Sequence, residues 1–130
     1  MKILVPISDD AASRAAVPTA LDLLDGGELI LASVGELPEV PEQAVEAKRA
    51  LRRRLAEVES KIRGVSVKSR IELAGDPVRG IVQIARDEHV DRIVIASHAR
   101  GAFETLVDRS VADDLREELE RIPVTVVAAG

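Results

Sequence analysis

The residues able to do chemistry gather in one stretch, Ser97-His98-Ala99-Arg100 through Asp108-Arg109-Ser110. A serine beside a histidine suggests nucleophilic catalysis. Adjacent residues leaving a strand point to opposite sides, however, and cannot make the nucleophile-to-base hydrogen bond, so no hydrolase triad and no enzyme is expected. Arg100 and Arg109 lie beside the start of a helix expected near Ser110, where unpaired N–H groups favour an anion. The structural alternative has Asp108 pairing with one arginine, side chains filling the pocket, and Ser110 acting as the N-cap. His89 falls near a helix end whose negative dipole suits its charged form. Two histidines and no cysteine make no metal site, and Asp113-Asp114 and Glu117-Glu118 read as a solvated helix face.

The elements that must position this stretch follow from periodicity. Arg92 to Ala96 is apolar and β-branched, as a strand buried on both faces is. Lys2 to Ile7 and Glu28 to Val34 read the same way, with Pro6 late in the first strand, where its missing N–H does least harm. Val65 to Ala74 alternates like an edge strand, and Val124 to Ala128 closes the chain as a fifth strand. Ser8, Asp9 and Asp10 form a loop and N-cap before a helix over Ala11 to Leu24, with Ala16, Ala20, Leu23 and Leu24 inward. Pro18 inside it predicts a kink near Arg14 or a later start, and Gly26-Gly27 a left-handed stop.

Pro38 and Pro41 mark an extended connector. A long helix over Glu42 to Arg63 turns Ala47, Leu51, Leu55, Val58 and Ile62 inward, and Gly64 closes it. Lys48, Arg49, Arg52, Arg53 and Arg54 go to its outer face, read as a solvated mixed-charge surface with a phosphate or acidic-partner patch as the alternative. Asp76-Pro77 is an N-cap followed by proline at the first helical position, starting a helix to about His89 with Ile81, Val82, Ile84 and Ala85 inward. Leu106 or Val107, Val111, Leu115, Leu119 and Ile122 give a last helix, stopped by Pro123.

Strictly alternating strands and helices imply an α/β fold: a doubly wound parallel sheet with helices on both faces. The 130 residues fit one domain spanning 1–130, burying roughly two thirds of the surface of the unfolded chain. Aromatic residues are 1% of the chain and the net charge is −5, so a base-stacking, phosphate-neutralising surface is lacking and nucleic acid is not an expected partner. No apolar run approaches the ~20 residues of a membrane span, and no leader precedes Ile3. A soluble, cytoplasmic protein is expected.

The opening KILVPI strand, the LAGDP helix start, the DRIVIASHARG strand and loop and the closing IPVTVV strand together resemble the universal stress protein family over nearly the whole chain. The resemblance implies a five-stranded sheet in the order 3-2-1-4-5, like that of the adenine nucleotide alpha hydrolases, with a crevice between the first and fourth strands. It also implies a homodimer through the last strand, Val124 to Val127, and a role in stress tolerance.

Nucleotide-binding members carry Gly, two residues, Gly, nine residues, then Gly-Ser or Gly-Thr. On that register the three glycines fall on Ala96, Ala99 and Arg109, and Ser110 alone is kept. The family's acidic residue after the first strand falls on Ser8. Bare glycine lets backbone N–H groups press on phosphates, and here methyl groups and an arginine stand in the way. The expectation is therefore a member without a cofactor, acting through protein contacts. In the alternative, an ATP- or AMP-binding member with an altered phosphate loop, the family pattern puts the nucleotide against Pro6, Ser8, Val34, Ala96, Ser97, Ala99, Arg109, Ser110 and Val111.

Overall fold

Each apolar run pairs in parallel with its neighbour, because every connection between strands is a crossover rather than a tight turn. The computed structural model describes residues 1–8, 11–97 and 120–128, with residues 11, 12, 97 and 128 as backbone only. Its strands are β1 (Lys2–Pro6), β2 (Glu28–Gly35), β3 (Ser66–Leu73), β4 (Arg92–Ser97) and β5 (Val124–Ala128). They form one parallel sheet in the order β3-β2-β1-β4-β5, as the family resemblance implies. The helices are α1 (Ala16–Leu23), α2 (Ala44–Glu59) and α3 (Pro77–Glu88). The expected last helix lies outside the described residues up to residue 119. Ile122 packs on the α3 side of the core, and Pro123 precedes β5.

The two-residue period of the strands splits the core. Leu4, Ile30, Ala32, Ile93 and Ile95 meet Ile81, Val82, Ile84 and Ala85 of α3. Ile3, Val5, Leu29, Leu31, Val94 and Ala96 face the other way, onto Ala16, Val17 and Ala20 of α1 and Leu55 and Val58 of α2. Adjacent residues in β1, β2 and β4 are thus buried on opposite faces, which is why those runs are continuously apolar.

Of the two outcomes Pro18 allows, the structure takes the later start. Ala11–Ala15 is a 3-10 turn and α1 begins at Ala16, so Pro18 falls in the first turn, where N–H groups have no intrahelical partner anyway. Of the expected inner stripe, Ala16 and Ala20 are buried and Leu24 is half-buried. Leu23 is 39% exposed, and Val17 takes the buried place instead. The helix stops as Leu24 turns extended, and the left-handed residue is Gly26 (φ 70°). Gly27 serves a different need: a Cβ there would overlap the backbone of Met1, whose carbonyl accepts from the Glu28 N–H.

α2 ends at Glu59, not Arg63. The Lys61 and Ile62 N–H groups bond three residues back, to Val58 and Glu59, and the Ser60 hydroxyl takes the Glu57 carbonyl, tightening the last turn out of the helix. Gly64 (φ 78°) belongs to the turn into β3. Leu51, Leu55 and Val58 are buried, whereas Ala47 and Ile62, at the fringes, are only half-buried. Asp76 and Pro77 act as read: the Val78 N–H donates to the Asp76 carboxylate at 3.0 Å, and Pro77 opens α3. His89 closes α3 in the left-handed conformation, φ 52° and ψ 50°.

Candidate functional site

The sheet order reverses between β1 and β4, and open α/β sheets have their crevice outside the carboxyl ends of the strands at such a switch point. β1 and β4 pair Ile3 with Arg92 and Leu4 with Ile93. Ser8 and Ser97 lie beyond these pairs, toward the carboxyl ends of the two strands. Pro6, buried at the end of β1, has no N–H to offer a ligand. The chain runs on past it because the Ile7 N–H donates to the Ala32 carbonyl at 2.7 Å.

The groups that follow are engaged within the protein. The Ser8 N–H donates to Ser13 Oγ at 2.9 Å, and the Ser13 hydroxyl turns back to the Ser8 carbonyl at 3.4 Å, with both serines buried. The Ile7 carbonyl accepts from Ser33 Oγ at 2.9 Å, and Arg54 Nη1 donates to the same Ser33 oxygen at 3.0 Å. Arg54 is therefore not on the solvated outer face with Arg49 and Arg53. It is half-buried over the ends of β1 and β2, because a hydroxyl inside an apolar strand needs a polar partner.

Of the residues singled out from the sequence, Pro6, Ser8, Ala96 and Ser97 lie at the carboxyl ends of β1 and β4. Ala96 is fully buried on the α1 side and aligned with Val127, and Ser97 is aligned with Ala128. Val34 lies one strand further out and faces the other way, onto α3. A Cβ built on Gly80 would come within 2.7 Å of one Val34 methyl and 3.1 Å of the other, so Val34 is spent on holding α3 close to the sheet. Ala99, Arg100, Asp108, Arg109, Ser110 and Val111 lie outside the described residues. Among the described residues, no group of three histidine, aspartate or glutamate side chains is placed to hold a metal, and no helix is long and apolar enough to cross a membrane.

A second polar cluster, absent from the sequence reading, sits between α3 and β3. Glu88 is 6% exposed and takes bonds from Arg70 and, at 3.0 Å, from Lys68, while Arg70 also reaches Asp87 at 3.2 Å. The Arg70 and Lys68 bonds hold the Glu88 carboxyl below its usual range, and Glu88 raises Arg70 in turn. Lys2 Nζ donates to the Glu88 carbonyl, which places the cluster toward the amino ends of the strands, away from the crevice. The signal was present in the alternation of β3, which puts Lys68 and Arg70 on one face. Its partner, at the far end of the next element, was not readable from spacing.

Residues 1–128 match the model of the universal stress protein family. The chain belongs to the universal stress protein family. A search of curated proteins finds no match. Among solved structures, this universal stress protein is similar to the hypothetical protein MJ0577, used as a test of assigning biochemical function from structure. That likeness is at 26% identity and TM-score 0.79, over 98% of this chain and 94% of that one. A universal stress protein family member from Burkholderia pseudomallei has TM-score 0.68 at 22% identity, covering 97% and 94%. One from Arabidopsis thaliana, solved with AMP bound, has TM-score 0.68 at 17% identity, covering 98% and 91%. The last two likenesses carry the fold alone.

Proposed function

We propose that this universal stress protein works as a cytoplasmic homodimer without ATP, acting through protein contacts and not as an enzyme. The observation that carries the reading is the closed hydrogen bonding at the end of β1: the Ser8 N–H is taken by Ser13, the Ile7 carbonyl by Ser33, and Pro6 has no N–H. The half of the crevice that β1 lines thus has its backbone groups engaged inside the protein. The substitutions at Ala96, Ala99 and Arg109 add bulk where phosphate-binding members have bare backbone. Charge-assisted hydrogen bonds are worth roughly 1.5–3 kcal/mol each, so losing two weakens binding by about two to four decades.

The second reading is an adenine-nucleotide-binding member, favoured by the AMP found in the Arabidopsis relative. It would use Ser110 and the cations Arg100 and Arg109 at the helix start. Mass analysis of the protein as purified distinguishes the two. The bare chain mass under native conditions is the expected result, and a carried-over adenine nucleotide would favour the second reading.

A further inference from the structure

We infer that the outer edge of β3 receives an extended acidic peptide of a partner protein, seated beside a groove between β3 and α2. This rests on the reading that the protein acts through protein contacts, and names the surface. β3 is eight residues long and, among the described residues, pairs only with β2. Its other edge therefore presents backbone donors and acceptors along its length, the arrangement to which an added strand binds. The last-strand dimer, which would cover β5, leaves this edge untouched.

Against the edge lies a groove of about 220 Å³ lined by Arg52, Leu55, Ala56, Glu59, Ser69 and Ile71. Leu55 and Ile71 give it an apolar floor, large enough for one aliphatic side chain of an alternating strand. Glu59, the acid of the set, is turned onto Ser69, which donates to it at 3.1 Å. Arg52 is the cation of the lining. Lys48 and Arg52 stand one turn apart on α2, both exposed, and among the described residues neither forms an ion pair, whereas Arg49 and Arg53 share Glu46.

A strand with acids and small aliphatic residues answers this surface on both counts, and charge opposition sets its register. An anionic membrane fits less well, because the chain's one aromatic residue, Phe103, is elsewhere in the sequence.

The test uses a fluorescein-labelled decapeptide of alternating glutamate and valine, titrated into the full-length protein and followed by anisotropy and by amide exchange. Binding is expected, with exchange slowed within residues 66–73. Arg52→Glu and, separately, Ala56→Phe, which fills the groove from an exposed position, should each weaken it by about tenfold or more. Equal binding of a lysine-valine peptide, unchanged affinity in both variants, or slowing confined to other strands would overturn the proposal. So would sedimentation with phosphatidylserine vesicles in place of peptide binding. ATP titration of the same samples reads the wider reading separately: heat with ATP alongside slowed β3 exchange sinks the non-nucleotide reading and leaves the β3 edge standing.

Discussion

Glu88 shows how one residue can join two elements. Its carboxylate is buried and answers Arg70 and Lys68, so removing its charge takes the acid from Lys68 and leaves Arg70 with Asp87. Glu88→Gln should cost about 1.5–3 kcal/mol at neutral pH, nearer the lower figure because Lys68 is half exposed to screening water. The pH dependence has a definite sign. The folded carboxyl lies below its ordinary 4.5, so its contribution is complete above that value and is lost as acid takes the pH down through the lowered one. Thermal melts from pH 7 to pH 3 should show wild type losing more stability below about pH 4.5 than Glu88→Gln does. Parallel losses in the two proteins would contradict the role given to Glu88.

At the level of elements, what was readable depended on whether a signal was local. Asp76-Pro77 announced α3 because capping needs only two residues and the backbone between them. The sequence puts the end of α2 too late because Gly64, a strong stop signal, serves the following turn, while the true stop is made by i→i+3 bonds that no residue type announces. Charge alone puts Arg54 on the outer face, and its bond to the neighbouring Ser33 on β2 explains its inward turn.

The fit of α3 on β2 is equally non-local and gives a second prediction. Gly80→Ala crowds Val34, costing about 1–3 kcal/mol, against about 1 kcal/mol gained in helix propensity. A net loss is expected in wild type, and a neutral or stabilising effect in a Val34→Ala background. A double-mutant cycle by urea denaturation checks it, and an effect of Gly80→Ala equal in both backgrounds would refute the contact.

The whole molecule was legible from the alternation of strands and helices, which left few topologies, and the family resemblance picked out the order 3-2-1-4-5. The crevice was legible in position but not in content. The serines that close the end of β1 come from three separate elements, and their bonds depend on the fold having formed. At this scale the proposed dimer makes its own prediction. β5 lies at the other edge of the sheet and Val126 is 40% exposed, so a second copy pairing there would cover it. Light scattering should find twice the chain mass for wild type and the chain mass for Val126→Asp. A wild-type monomer, or a variant that stays dimeric, would count against it.

The most direct measurement is calorimetric titration of the intact protein with ATP, ADP and AMP. Millimolar nucleotide should give no heat beyond dilution, in wild type and in Ser110→Ala alike. Micromolar binding by wild type that Ser110→Ala abolishes would show that the crevice holds a nucleotide after all.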